Sequence, residues 1–265
     1  MKELRRVYPN KGVEAEYRSK LKKLVDGMSK SVLYWLLADW GGRTAREMAI
    51  VLRKRIKQWD KVFGKEAEKI SLWFVKSIKK HTEFGMKSAF RDARLKLKND
   101  VPKNVEKGVE IENTALIKSI PEKYFTGIET VAMMALLYGW SKDILADEIN
   151  KRYRITIRRV QTISRDQTHK TTEIFKRAIC KEAGINFGRW KYTYLSKKPR
   201  ENHIQMNGAI FDLDKGCYEI GTGELIFPGE RINCTCQFNP IIEEPGDNLR
   251  KEVEKRIYFR NIARG

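Results

Sequence analysis

Through most of the first 184 residues apolar side chains recur three and four positions apart, and past Gly184 the spacing changes to alternation. That switch limits the fold class, because a period near 3.6 lines apolar groups along one stripe of a helix and a period of two lines them on one face of a strand. From Ala15 to about Leu37 the positions Leu21, Leu24, Met28, Val32, Trp35 and Leu36 make one helical stripe, which Gly41-Gly42 breaks. Thr44 followed three residues later by Glu47 has capping-box spacing, so a second helix starts there, with Met48, Val51, Leu52, Ile56, Trp59, Val62 and Phe63 on its face. A third helix is predicted over 66–80 and a fourth over 84–98. Trp35, Trp40, Trp59 and Trp73 read as core or subunit-contact residues rather than platforms for stacked bases.

The second half begins with helices as well. One is predicted over 111–120, ending near Pro121; another runs from Phe125 to a stop at Gly139, and Ser141 caps the next. A long helix from near Thr156 to Gly184 would span roughly 40 Å at 1.5 Å per residue. Then Trp190, Tyr192 and Tyr194 alternate with Lys191 and Thr193 as in a strand with one packed face, and further short strands are predicted over 209–213, 224–227 and 236–238. The expected class is therefore α+β, with a mostly α-helical N-terminal part and a small C-terminal β-sheet packed on a long helix. The turn-like composition of 99–104 suggests a helical domain or arm over 1–100, then a helical part over 101–185, a β-rich module over 186–242 and a helical tail over 243–265.

Charge bears on partners. The net charge of +20 is concentrated in the helical part: residues 1–185 hold 41 Lys and Arg against 23 Asp and Glu, a surplus of 18, whereas 186–240 hold 7 against 6. A basic face of this kind suits a polyanion such as DNA, bound through its backbone without reading its sequence. The alternative is a solvated surface that only keeps the chain soluble. Helix-turn-helix, zinc-finger, phosphate-loop, dinucleotide and nucleophile-elbow motifs are absent from the sequence. No apolar run reaches the roughly 18 residues a membrane span needs, and the start, Met1-Lys2-Glu3-Leu4-Arg5-Arg6, lacks signal-peptide character, so synthesis in the cytoplasm is expected.

The candidate chemistry clusters late in the chain. Cys234 and Cys236 project to one face if extended, and with His203 and a fourth group they would suit tetrahedral zinc; the other readings are plain packing of small thiols or a redox pair, with Cys217 an uncertain further ligand. His203 also invites a general-base reading, with Arg200, Glu201, Asp212 and Glu224 arranged about it as in a nuclease. Arg165 and Asp166 point about 100° apart on a helix, which favours a structural junction: Asp166 accepting bonds from loop amides or a basic side chain, and Arg165 bracing the sheet.

Taken in order, Arg165-Asp166-Gln167, Trp190-Lys191, Pro199 with His203, Asn207-Gly208, Gly223-Glu224, Pro228-Gly229 and Asn233-Cys234-Thr235-Cys236 make a set that resembles the C-terminal domain of the phage head morphogenesis, or Mu F-like, minor head proteins. The likeness covers about residues 110–240. It implies a virion component associated with the portal vertex, with the portal protein, capsid or scaffold proteins and genome DNA as partners and no enzymatic activity. Its structural motif residues here are Arg165, Asp166, Gln167, His203, Asn207, Gly208, Cys234 and Cys236. A nuclease-like enzyme centred on His203, or a zinc-stabilised DNA-binding module, are the alternatives.

Overall fold

A computed structural model describes residues 1–38, 40–42, 44–96, 100–194 and 199–254, and it is a mostly helical α+β structure. The elements run β1 (Lys2–Glu3), α1 (Lys11–Ala38), α2 (Ala45–Asp92), α3 (Lys103–Leu137), α4 (Lys142–Glu182), β2 (Phe187–Lys191), α5 (Glu201–Gln205), β3 (Ile210–Asp212), β4 (Cys217–Tyr218), β5 (Leu225–Ile226) and β6 (Gln237–Ile242). They form two compact units, one from 11–74 and 109–164, the other from 1–10, 75–108 and 165–265.

The first unit is helical. Tyr17, Leu21, Val25, Met28, Val32 and Leu36 are buried along α1 at spacings of three and four, the amphipathic stripe that drives such a helix to pack. Several of the polar groups in its interior are paired with one another. Tyr17 stacks on Phe74 with ring centroids 4.4 Å apart and donates its hydroxyl to Asn113 Oδ1 at 2.7 Å, while Asn113 Nδ2 donates to Ser71 Oγ at 3.3 Å. Leaving any of these unpaired in an apolar core would cost about 1–3 kcal/mol. Of the two expected roles for Trp35, Trp40, Trp59 and Trp73, core or subunit contact, full burial in the core is not observed; each keeps part of its surface exposed. Cations account for two of them, since Arg55 lies 3.8 Å from the Trp35 ring centroid and Lys20 4.6 Å from that of Trp73.

Helix boundaries follow backbone conformation more than composition. The capping box at Thr44 forms, the Glu47 amide donating to Thr44 Oγ1 and the Thr44 amide to Glu47 Oε2. Instead of three helices over 44–98, however, α2 runs unbroken for 48 residues and stops at Asp92, where Arg94 adopts φ +62°. Gly64 and Gly85 lie inside it without positive φ, so each weakens the helix without ending it. Likewise Pro121 does not end a helix. It sits within α3, where Ile117, Ile120, Tyr124 and Phe125 are buried on either side, and that packing outweighs the roughly 3 kcal/mol a mid-helix proline costs. Gly139 and Gly184 do terminate α3 and α4, at φ +61° and +75°. Ser141 Oγ accepts the Ile144 amide, and α4 then continues through Thr156 as one helix of 41 residues.

The second unit holds the sheet. Its order is β1-β6-β2-β3, every neighbour antiparallel, with Trp190 opposite Phe238 and Gly188 opposite Pro240; β4 and β5 form a separate hairpin. Phe175, Ile179 and Cys180 of α4 are buried, as are Phe187, Trp190, Phe211 and Phe238 of the sheet. Gly188 is glycine because a Cβ there would lie 2.8 Å from Phe238 Cδ2. The strand predicted through Tyr194 stops at Lys191, and Tyr194 turns the chain at φ +52°. Residues 249–254 are helical and bury Leu249 and Val253 with Phe187, Ile210 and Ile241; the rest of the predicted tail helix, like Asn99 and Ser196 to Lys198 of the predicted turns, lies outside the described residues.

Candidate functional site

One end of the sheet carries a buried polar cluster centred on His203. The five-residue helix α5 places the imidazole inward, and Cys234 and Cys236 come from the segment entering β6, just after Asn233 at φ +61°. Nδ1 of His203 is 3.5 Å from Sγ of Cys234 and 3.5 Å from Sγ of Cys236, and the three ligand atoms all lie within 4.8 Å of one another. All three residues are buried. Trp190 packs edge-on against the imidazole, ring centroids 5.6 Å apart.

On its other side His203 meets Glu219, Nε2 to Oε1 at 3.0 Å. A carboxylate only accepts, so in the neutral ring Nε2 carries the hydrogen and Nδ1 turns its lone pair toward the two sulfurs. Glu219 is itself held, accepting from Asn202 Nδ2 at 2.7 Å, Thr222 Oγ1 at 2.8 Å and Arg231 at 2.7 Å. Burial would raise its pKa, but the hydrogen bonds from Arg231 and Thr222 prevail and hold it below the usual glutamate value. The hydrogen bond from Cys236 lowers the Cys234 pKa to about 4 against the effect of burial, and the same contact drives Cys236 upward.

Helix α4 fixes the loop that delivers the cysteines. Asp166 Oδ1 accepts the Asn233 amide at 2.7 Å and Arg165 bonds Asn233 Oδ1, so two successive helix residues clamp the residue before Cys234. Burial pushes the Asp166 carboxyl up to about 6 despite that amide bond. Two turns further on, buried Lys176 donates to both oxygens of Glu173 at 2.8 and 2.9 Å and to the Phe238 carbonyl at 2.9 Å, while Glu173 Oε2 accepts the Phe238 amide at 3.1 Å. Here the ion pair takes the place of a strand neighbour for β6. Asn207 and Gly208 act at the end of β2: Asn207 Oδ1 accepts the Tyr192 amide at 3.0 Å, and Gly208, at φ +82°, donates its amide to the Trp190 carbonyl at 2.8 Å.

His203, Cys234 and Cys236 are thus brought together, and Arg165 with Asp166 join them through Asn233. Gln167 lies buried on α4. Cys217 is buried in β4 and does not belong to the set of three. The residues imagined around a catalytic His203 have other partners: Arg200 donates to the Ile232 carbonyl, Asp212 accepts the Asp214 amide and Glu224 pairs with Arg231. Sequence reasoning missed Glu219, Asn202, Thr222 and Arg231, which no spacing links to His203. It also passed over Glu173 and Lys176, for which a signal existed: two charges three apart in a stretch, 171–180, that is buried nearly all round.

Residues 126–239 match the family described as Phage Mu protein F like protein. A stretch of 131 residues, 49% of this chain, is 30% identical to an uncharacterized protein of Haemophilus influenzae and covers 28% of that protein's length. No solved structure matches. The matched stretch takes in the end of α3, the whole of α4 and the strands through Asn239, and with them every residue of the cluster, its carboxylate support and its clamp. Over residues 126–239, then, the chain is similar to the phage Mu protein F like family.

Proposed function

We propose that this chain is a minor head protein of a tailed bacteriophage that associates with the portal vertex, bound to the portal protein and to capsid or scaffold proteins, and that it contacts packaged DNA electrostatically during head assembly or genome delivery. The observation that carries the reading is the Mu F-like match over residues 126–239. The role is structural: the buried cluster fastens a loop to a helix and a sheet, and its histidine is only 2% exposed.

Contact with DNA is supported by where the cations sit. Along α2, Arg53, Lys57, Lys61, Lys65 and Lys69 recur every four residues and all are exposed. Sixteen residues of helix rise about 24 Å, so these five charges can follow a phosphate backbone over several nucleotides. Next to that stretch a groove of about 480 Å³ is lined by Trp59 and Trp73 with Lys20, Lys23, Lys69 and Glu66, an apolar floor on whose rim three cations face one acid.

The test is co-expression of the full chain with the portal protein of the same genome, followed by purification on the portal ring. Retention at a fixed ratio, which survives charge reversal at Lys57, Lys61 and Lys65 while DNA binding does not, supports both parts of the reading. Failure to bind the portal overturns the vertex assignment.

A further inference from the structure

The geometry points to a zinc site in which Nδ1 of His203 and the thiolates of Cys234 and Cys236 are three ligands, with Glu219 orienting the histidine from behind. Tetrahedral zinc holds sulfur at about 2.3 Å and imidazole nitrogen at about 2.0–2.1 Å, which places nitrogen and sulfur ligands about 3.6 Å apart. The separations of His203 Nδ1 from the two sulfurs are 3.5 Å and 3.5 Å. Hydrogen bonding alone does not explain that symmetry, because Nδ1 has one lone pair and faces two sulfurs equally. A cation between the three atoms uses the lone pair and both thiolates together.

The surroundings agree independently. Histidines that bind metal commonly donate their second ring N–H to a carboxylate, which fixes the tautomer and raises the ligand's basicity, and such carboxylates are in turn hydrogen-bonded. Glu219 is placed in this way at 3.0 Å from Nε2, and Asn202, Thr222 and Arg231 hold it in position. No such support is needed if the thiols merely fill space. The ligands also join distant pieces of chain, α5 and the approach to β6, 31 residues apart between His203 and Cys234. A metal there ties the turn-rich segment 206–233 at both ends, next to the Asn233 clamp on α4. The role assigned is structural, and the fourth ligand position falls to a protein donor outside the trio.

The test uses the purified full chain. Apo protein reconstituted with zinc and freed of excess is expected to hold one zinc per chain, to unfold at a lower temperature once chelated, and with cobalt in place of zinc to show the intense visible absorption and thiolate charge-transfer band of a tetrahedral site. Cys234→Ser and Cys236→Ser each lose stoichiometric metal, Cys217→Ser keeps it, and Glu219→Gln, which keeps a hydrogen-bond acceptor for His203, weakens affinity about 10–100-fold. Should the cysteine variants fail to fold, protection of two thiols from modification by zinc in the unaltered chain decides the matter. A reconstituted protein with less than a tenth of an equivalent of zinc, a Cys234–Cys236 disulfide as isolated, or Cys217→Ser losing metal as readily as Cys234→Ser overturns the assignment.

Discussion

At the scale of single residues, the buried pair Glu173–Lys176 carries the largest testable energy. Burial raises the Glu173 pKa and Lys176 opposes that rise, so the carboxylate depends on its partner to stay charged. Lys176→Met removes the partner and leaves a buried acid beside an unpaired Phe238 carbonyl. Loss of roughly 3–5 kcal/mol is expected from chemical denaturation. Asp166 yields a pH prediction with a definite sign. Its pKa is raised from 3.8 to about 6 by burial, so its contribution is fully present below pH 3.8 and is lost as pH rises through 6. Asp166→Asn should therefore gain on the parent between pH 4 and 7 in metal-free buffer, by at most about 3 kcal/mol at 1.36 kcal/mol per pKa unit. A flat difference across that range would contradict the burial. At this scale the residues of the cluster were legible, since His203, Cys234 and Cys236 stand out as residue types. Glu219 was not: a glutamate 16 residues away beside a glycine turn has no local pattern, and only the fold brings it to Nε2.

At the scale of elements, two glycines of one helix make a paired test. A Cβ on Gly64 would meet nothing within 4 Å, and the residue keeps helical φ, whereas a Cβ on Gly85 would meet Val7 Cγ1 at 2.6 Å. Gly64→Ala is expected to stabilise the protein by about 0.5–1 kcal/mol through helix propensity and chain entropy. The change Gly85→Ala should instead destabilise it, because the N-terminal segment must move; thermal unfolding of the two variants distinguishes the signs. The same contrast explains which boundaries the sequence disclosed. Thr44 with Glu47, Gly139, Ser141 and Gly184 act through local hydrogen bonds or a left-handed backbone and were readable. Gly64, Gly85 and Pro121 look like breaks in sequence but are held helical by packing, and Tyr194 ends its strand by a turn that its aromatic alternation conceals.

At the scale of the whole molecule, charge and connectivity matter most. The helical residues 1–185 hold 18 of the 20 net positive charges, and the exposed row from Arg53 to Lys69 is its most ordered part. Binding to duplex DNA is expected to weaken steeply with salt, and neutralising Lys57, Lys61 and Lys65 together should reduce the log–log slope by about 3, one for each phosphate that no longer has a cation beside it. A slope unchanged by those substitutions would place the DNA elsewhere on the surface. The α+β class was legible in the change of periodicity at Gly184. The two compact units were less so, because α2, α3 and α4 each contribute to both and the units are discontinuous along the chain. Most direct for the central claim is quantitative mass spectrometry of gradient-purified heads produced from the genome that encodes this chain. The account predicts the protein in the particles at a few copies each, with a ratio to the portal protein that stays constant across preparations; heads that contain portal and capsid proteins but none of this chain would contradict it.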